Sequence, residues 1–131
     1  MLLYVDLADR RPVYQQLRDQ VVEAIARGDI GEGTRLPTTR QLAADLAVNF
    51  HTVSRAYDLL RQEGFIQVSR KSGAAVYVSG KAAPPEWRAS LRTQLAEAYA
   101  KDMPRDDILD VCKEILAGFG QREPHRGSSL A

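Results

Sequence analysis

Cysteine and histidine are scarce in this sequence. Its 131 residues include one cysteine, Cys112, and two histidines, His51 and His125. A single cysteine excludes an internal disulfide. The sequence also lacks HExxH, CxxC and similar metal-ligand spacings, a nucleophile elbow and a phosphate-binding glycine loop. We therefore expect neither an enzyme active site nor a bound metal or cofactor.

Long apolar runs are missing as well. The longest, such as residues 1–5, have about five residues, whereas a membrane-spanning helix needs about 20. No basic flank precedes the first run, so it does not match a secretory signal. Hydrophobic residues make up 44% and charged residues 27%, which is normal for a globular protein. We expect a cytoplasmic protein without a membrane partner, built from one domain or from one small domain with an appendage.

The net charge is only +1, but it is unevenly distributed. Residues 34–81 contain seven basic and three acidic residues. The basic residues are Arg35, Arg40, Arg55, Arg61, Arg70, Lys71 and Lys81. This stretch therefore has a surplus of four positive charges, and the remainder of the chain has a net charge of −3. A local basic surface is typical of a protein with a polyanionic partner such as a nucleic acid.

Apolar residues at intervals of three and four predict a first helix from Pro12 to about Arg27. These residues are Tyr14, Leu17, Val21, Ala24 and Ile25. Gly28 is placed to cap the C-terminus of this helix. A β-prone apolar stretch, residues 2–7, precedes the helix, and a turn-rich connector, residues 28–37, follows it.

Two short helices separated by a tight connection are predicted next. Thr38 or Thr39 can cap the first of them. Its inward face consists of Leu42, Ala43 and Leu46. Residues 47–49 lead to a second helix, which starts near His51 or Thr52 and ends at residues 63–64. The apolar stripe of this second helix consists of Val53, Ala56, Tyr57 and Leu60.

Two short strands, residues 65–69 and 74–79, follow the helices and are joined by a basic turn, residues 70–73. Helix, helix–turn–helix and hairpin in this order predict an α+β, mainly α, fold of the winged helix–turn–helix type. We assign residues 1–80 to this domain and expect it to bind DNA.

A C-terminal region, residues 81–120, begins at a proline-containing boundary and is predicted to form two amphipathic helices, residues 86–101 and 105–120. Their apolar faces consist of Trp87, Leu91, Leu95 and Tyr99 on the first, and Ile108, Val111, Cys112, Ile115, Leu116 and Phe119 on the second. Two such helices cannot close a core alone, so their apolar faces must pack on the first domain or on a second copy of the chain, and we assign them to dimerisation. The polar residues 121–131 are expected to be a disordered tail.

Polar side chains cluster where the second helix of the motif begins. They are Asn49, His51, Thr52, Ser54 and Arg55. Such residues can simply cap and solvate a helix, and a catalytic or metal site would require partners for His51 that the sequence does not offer. In a helix–turn–helix this end enters the major groove, and free N–H groups at a helix start favour a phosphate. DNA recognition is therefore the preferred interpretation.

The stretch LPTTRQLAADLAVNFHTVSRAYDLLRQEGFI, residues 36–66, resembles the DNA-binding signature of the GntR family of bacterial transcription regulators. The resemblance covers about residues 4–78 and includes Leu36-Pro37, Arg40, Thr52-Val53 and Glu63-Gly64. The pattern NxxTVSRAYxxL, together with a two-helix C-terminal part, resembles the YtrA-type branch, in which these helices serve dimerisation. The resemblance implies a homodimeric regulator, a repressor, on a pseudo-palindromic double-stranded DNA operator. It leaves open whether a small-molecule effector acts on the protein.

The resemblance also implies roles for individual residues. Arg40 would contact the DNA backbone or a base. Groove-facing positions are those of Asn49, His51, Thr52 and Ser54, and the wing tip is formed by Lys71, Ser72 and Gly73. Further candidates for DNA contact are Arg35, Thr38, Thr39, Phe50, Arg55 and Arg70.

Several of these assignments have alternatives. Phe50 contacts DNA or covers the helix junction, and Arg35 and Arg55 contact phosphate or solvent. This chain departs from the family pattern at three positions. The family commonly has arginine or proline at the position of Phe50, and asparagine or arginine at that of His51. It has glycine at the position of Lys71. A rival hypothesis is a winged helix that binds another protein instead of DNA.

Overall fold

The computed structural model describes residues 2–71, 73–80 and 84–120. Ser72 and the expected tail, residues 121–131, lie outside the described residues. The described part forms five helices and a two-stranded antiparallel sheet. Contacts within the chain divide it into two units at residue 80. The predicted fold class, α+β and mainly α with a winged helix–turn–helix followed by two helices, is confirmed.

Helix α1 spans Val13–Arg27, as its periodicity predicts. Pro12 precedes it, and Gly28 ends it in the left-handed conformation with a φ of 81°. The backbone N–H groups of Gly28 and Asp29 donate to the carbonyls of Ile25 and Ala24 in the last turn. Bonds of this kind satisfy the carbonyls at a helix C-terminus. Leu17, Val21 and Ala24 are buried on the inward face of α1.

The β-prone residues 2–7 form no strand, which corrects the expectation from the sequence. Two glutamine side chains of α1 satisfy this segment's backbone instead. The Gln20 amide bonds both the N–H and the carbonyl of Tyr4, at 3.0 and 2.8 Å. Gln16, which is buried, accepts a hydrogen bond from the Asp6 N–H and donates to the carbonyls of Asp6 and Arg11. The segment therefore needs no neighbouring strand.

Helix α2 spans Thr39–Leu46, and Thr38 is its N-cap. The Thr38 hydroxyl accepts from the Gln41 N–H, and the Gln41 side chain accepts from the Thr38 N–H, so the two residues form a capping box. Ala47 ends the helix with a positive φ of 55°. This left-handed residue turns the chain sharply into the connection that leads to the next helix.

Helix α3 spans Phe50–Gln62 and begins slightly earlier than the sequence suggested. The reason is that Asn49 is its N-cap: the Asn49 Oδ1 accepts from the His51 N–H at 2.8 Å. The predicted apolar stripe is confirmed, since its four residues are all buried. Tyr57 also donates a hydrogen bond from its hydroxyl to the Pro37 carbonyl at 2.6 Å. This bond joins α3 to the segment that leads into α2.

The wing consists of β1 (Ile66–Ser69) and β2 (Gly73–Val76), paired in register Ile66↔Val76. The regular ladder ends at Val76, three residues before the predicted end. Hydrogen bonds continue from Tyr77 and Ser79, but the pairing slips by one residue at Gly64. Gly64 has a φ of 85°, and a Cβ there would lie 2.8 Å from the Ser79 hydroxyl, so a side chain would not fit.

The connector between α1 and α2 contributes to the wing. Arg35 forms an isolated antiparallel bridge with Ala75, and Leu36 N–H and Val76 N–H bond to the carbonyls of Ala74 and Thr34. The segment therefore acts as a third short strand beside β2, whereas the sequence suggested only a turn-rich loop. Hydrophobic residues of α1, α2, α3 and the wing share one core.

The C-terminal unit contains α4 (Trp87–Ala100) and α5 (Arg105–Ala117). Asp102, with a φ of 69°, lies in the turn between them. Helix α5 ends three residues earlier than predicted, because the chain leaves the helix at Gly118, so Phe119 lies beyond it. Neither helix contains a buried residue. Among the residues described, no helix has the length and apolarity needed to cross a membrane.

Candidate nucleic-acid interface

The N-terminal end of α3 presents polar side chains on the face opposite its core stripe. His51 and Arg55 are exposed, and Thr52 and Ser54 are partly buried. Asn49 is exposed, but its Oδ1 is already engaged as the helix cap. The structure therefore separates a packing face from a polar face within one helix, as the sequence predicted. It also gives Asn49 a structural task that the sequence reading did not assign.

One aromatic ring contacts two of the polar candidates at this end. The Arg40 guanidinium carbon lies 5.1 Å from the centroid of the Phe50 ring. The His51 ring meets the same ring edge to face, with centroids 5.4 Å apart and planes at 68°. Phe50 is itself partly buried and packs against the core. Of its two predicted alternatives, Phe50 thus at least covers the helix junction, and it links residues of α2 and α3.

Arg55 lies on the other side of α3, against α1. Its guanidinium carbon is 3.9 Å from the centroid of the Tyr14 ring. Tyr14, Arg18 and Asp58 line the same open groove between α1 and α3. Arg55 therefore contacts α1 and pairs with no carboxylate in the described part of the chain, and nothing in the sequence pattern indicates this contact.

Several arginines of the first unit are held by ion pairs, and one of them, Arg18, also lies 5.5 Å from the centroid of the Phe65 ring. Arg11, Arg18 and Arg27 donate to carboxylates, for example from the Arg18 Nε to Glu63 at 2.8 Å. The pKa of Arg18 is raised. Burial is the largest single influence on this pKa and lowers it, but the hydrogen bonds and charges of Glu63 and Asp19 together outweigh burial. Within the described chain, Arg40 and Arg55 make no ion pair.

A guanidinium stacked on a ring face keeps its in-plane N–H donors available. Arg40 and Arg55 each lie over an aromatic ring, and neither guanidinium makes an ion pair with a carboxylate in the described ranges. Arg11, in contrast, is committed to neighbouring acids: its side chain bonds to Asp9 and Asp19, and its hydrogen bonds to Asp9 lower the pKa of that carboxyl. This difference sets the aromatic-held pair apart from the structural arginines.

The wing brings together residues that are distant in the sequence. Arg70 and Lys71 are exposed in the turn after β1, and Gly73, with a φ of 70°, pairs with Ser69 at the start of β2. Arg35 is exposed opposite Ala75, so it belongs to the wing and not to the helix–turn–helix. Ser72, the remaining predicted wing-tip residue, lies outside the described residues.

The two threonines before α2 differ in their roles. Thr38 is exposed, and its hydroxyl oxygen caps the helix. Thr39 is the first helical residue and is partly buried. A capping hydroxyl can still donate its proton outward, so this task leaves Thr38 able to contact an anion.

A family model described as bacterial regulatory proteins, gntR family, matches residues 13–76. This span covers α1, the helix–turn–helix and both strands of the wing. The chain belongs to the GntR family. A GntR-family protein is a helix–turn–helix regulator that binds DNA, and this membership confirms the prediction that the chain is not an enzyme.

Relatives from three organisms extend the match. The regulator Rv1152 of Mycobacterium tuberculosis is 38% identical over 74 residues, which are 56% of this chain and 61% of that protein. The repressor YtrA of Bacillus subtilis is 27% identical over 88% of this chain and 93% of its own length. The structure of YtrA from Sulfolobus acidocaldarius, a GntR-family transcription factor, has a TM-score of 0.59 and 39% identity over 72% of this chain and 94% of its own. The YtrA-type branch is thus confirmed.

The predicted dimerisation residues of this GntR protein lie on α4 and α5 or, for Phe119, just beyond α5. Trp87, Tyr99, Val111, Ile115 and Leu116 are exposed. The other predicted members, Leu91, Leu95, Ile108, Cys112 and Phe119, are only partly buried. Leu109, which the sequence reading did not include, is also half exposed. These helices therefore carry apolar side chains that packing between α4 and α5 alone leaves exposed.

No group of three potential metal ligands occurs among residues 2–71, 73–80 and 84–120. His51 contacts Phe50, and Cys112 is a half-buried free thiol.

Proposed function

We propose that this GntR protein represses transcription by binding, as a homodimer, to a pseudo-palindromic DNA operator. The observation that carries the proposal is the polar end of α3, where exposed His51 and Arg40 contact the same Phe50 ring and Arg55 is exposed one turn further along the helix. Both arginines are held on rings and make no ion pair with a described residue. An α-helix fits the major groove, and its N-terminal side chains reach base edges.

Each part of the surface has a proposed role. Arg40 and Arg55 bind phosphates on either side of the groove, because one lies on the α2 side of α3 and the other on the α1 side. His51, Thr52 and Ser54 face base edges. The wing, through Arg35, Arg70 and Lys71, approaches the neighbouring minor groove. Phosphate contacts fix the position of the protein, whereas base contacts determine the preferred sequence.

The helix caps prepare this surface for binding. Thr38 and Asn49 fix the first turns of α2 and α3 through side-chain to backbone hydrogen bonds. The remaining free N–H groups at the start of α3 and its positive dipole end favour a phosphate. Both functional helices therefore begin at defined positions before DNA arrives.

Dimerisation is proposed from affinity and from the uncovered faces of α4 and α5. Phosphate contacts alone give a dissociation constant of about 10⁻⁴–10⁻⁶ M. Specific operators are bound at about 10⁻⁸ M or tighter, which two joined half-sites can supply. We therefore assign residues 1–80 to DNA binding and residues 81–120 to dimerisation. The two recognition helices would lie about 34 Å apart, or a multiple of that distance.

Repression is proposed because the YtrA relative from Bacillus subtilis is named a transcriptional repressor and this chain spans 93% of its length. An operator-bound dimer would block access of RNA polymerase. A small-molecule effector, if the protein has one, would act by changing the separation of the two recognition helices, since tight binding requires both to fit their grooves.

In vitro selection of random duplex DNA by the purified full-length protein tests the proposal. We expect an inverted repeat whose half-sites are separated by about one helical turn or a multiple. A salt titration on the selected duplex should show a steep fall in affinity. Failure to enrich any sequence, together with a flat salt dependence, would support the rival hypothesis of a protein-binding winged helix.

A further inference from the structure

We infer that Phe50 is a positioning residue for DNA recognition: its ring holds Arg40 of α2 and His51 of α3 in fixed relation to each other. The inference rests on the proposed function.

The anchoring of Phe50 is the first step. It is the first residue of α3, follows the Asn49 cap directly and is partly buried against the core. A ring with one side on the core and a backbone fixed by a cap has little freedom. It is therefore a rigid base for groups that contact its outer side.

The Phe50 ring positions Arg40. This arginine is exposed on α2 and makes no ion pair with any residue in the described ranges. Its guanidinium carbon lies 5.1 Å from the centroid of the Phe50 ring. A long arginine loses much rotamer freedom when it is ordered at an interface. An arginine already held on a ring loses less, so the contact favours binding without touching DNA itself.

The Phe50 ring also positions His51. The imidazole ring packs edge to face on Phe50 with centroids 5.4 Å apart, a geometry that aromatic pairs favour. The backbone N–H of His51 is also fixed by Asn49. The Phe50 ring thus restricts the His51 rotamer, and a restricted imidazole discriminates among base edges better than a freely rotating one.

The three contacts couple two helices at the point where both approach DNA. Loss of the ring should therefore affect two different properties. General affinity should decrease because Arg40 becomes mobile, and base preference should broaden because His51 becomes mobile. A residue that only filled the core would change neither property once the protein is folded.

The test compares Phe50→Leu, which keeps an apolar group but removes the ring, with Phe50→Tyr, which keeps the ring. We expect Phe50→Leu to bind the selected operator about two- to tenfold more weakly. Phe50→Tyr should restore most of this affinity. A binding-site selection with Phe50→Leu should return a broader base distribution than the wild-type protein. Thermal unfolding of each variant shows whether it is folded at the assay temperature.

A double-mutant cycle with Arg40→Ala assigns the mechanism. If Phe50 acts through Arg40, Phe50→Leu weakens binding in the wild-type background and has little further effect in the Arg40→Ala background. Equal effects in both backgrounds, or a Phe50→Leu protein that binds and selects like the wild type, would overturn the inference. If Phe50→Leu does not fold, the Phe50→Tyr protein provides the test, because it keeps the ring. A loss of operator affinity in Phe50→Tyr as large as that in Arg40→Ala contradicts a role for the ring.

This outcome is separable from that of the proposed function. A wild-type protein that enriches no sequence refutes operator binding itself. A wild-type protein that selects an operator, with independent effects of the two substitutions, refutes only the positioning role of Phe50.

Discussion

Substitution of Tyr57 by phenylalanine removes one hydrogen bond between the recognition helix and the segment leading into α2. Tyr57 is only 6% exposed, and its hydroxyl donates to the Pro37 carbonyl at 2.6 Å. A lost buried hydrogen bond that leaves an acceptor without its partner costs about 1–3 kcal/mol. Because Pro37 is only partly buried, we expect the lower part of this range, about 1–2 kcal/mol. This loss corresponds to a melting temperature lower by roughly 5–15 °C for a unit of this size.

The loss of unfolding free energy caused by Tyr57→Phe should depend on pH. Burial raises the pKa of Tyr57 above its ordinary value of about 10. Above pH 10 the unfolded chain therefore loses this proton while the folded protein keeps it, so stability falls as pH rises. The stability that the buried, protonated Tyr57 contributes is almost complete at pH 9 and decreases by about 1.4 kcal/mol between pH 9 and pH 11. The Tyr57→Phe protein has no hydroxyl to titrate and does not lose stability in this way. The difference in unfolding free energy between the wild type and Tyr57→Phe should therefore become smaller above pH 10.

Chemical denaturation at pH 7, 9 and 11, at one fixed protein concentration, measures the difference in unfolding free energy. Tyr77→Phe is the matched control, because Tyr77 is 51% exposed and its ring contributes less to the core. We expect the control to follow the wild type within about 0.5 kcal/mol at pH 7 and 9. A Tyr57→Phe protein as stable as the wild type at pH 7, or a difference that stays constant up to pH 11, would refute the reasoning.

Three further predictions concern DNA binding and assembly. Arg40→Ala should weaken binding to all duplexes about tenfold and reduce the slope of affinity against salt by about one, as measured by fluorescence anisotropy. His51→Ala should change the preferred bases more than the overall affinity, which a binding-site selection on both proteins would show. Leu95→Asp combined with Ile115→Asp should give monomers by light scattering, because two carboxylates would enter the proposed interface.

Controls for these predictions come from the same chain. Arg27 is paired with Asp29 and Glu23 at the end of α1, so Arg27→Ala should leave the salt slope unchanged. Thr93→Asp with Ala117→Asp adds two charges to the opposite faces of α4 and α5 and should remain dimeric. An unchanged affinity for Arg40→Ala, or a dimeric Leu95→Asp/Ile115→Asp protein, would contradict the roles proposed for these residues.

Elements defined by local chemistry could be predicted from the sequence. Intervals of three and four identify α1 and α3, and Gly28 and Gly64 mark where they end. The sequence predicts Thr38 or Thr39 as the cap of α2, because threonine is a preferred N-cap residue, and the structure selects Thr38. Some boundaries differ from the prediction: Asn49 caps α3 and starts it earlier than expected, and α5 and β2 each end three residues early.

Features that depend on distant residues could not be predicted. Gln16 looks like an ordinary polar helix residue, yet it is buried because it satisfies the backbone of residues 6 and 11. Arg35 lies in a glycine-rich connector, and only the presence of β2 converts that connector into a strand. The contact of Arg55 with Tyr14 joins residues 41 positions apart. Periodicity carries no information about such pairings, so these parts of the candidate site appear only in the structure.

The uncovered faces of α4 and α5 link stability to DNA binding. Neither helix has a buried residue in the single chain, and Ile115 and Leu116 are 55% and 65% exposed. Isolated helices of 14 and 13 residues are marginal in water, because helix formation needs tertiary packing to be stable. If a second copy supplies that packing, these helices fold only in the dimer, and their stability rises with protein concentration by mass action. Dilution would then unfold α4 and α5 and separate the two recognition helices in one step, so helicity and operator affinity should decline together.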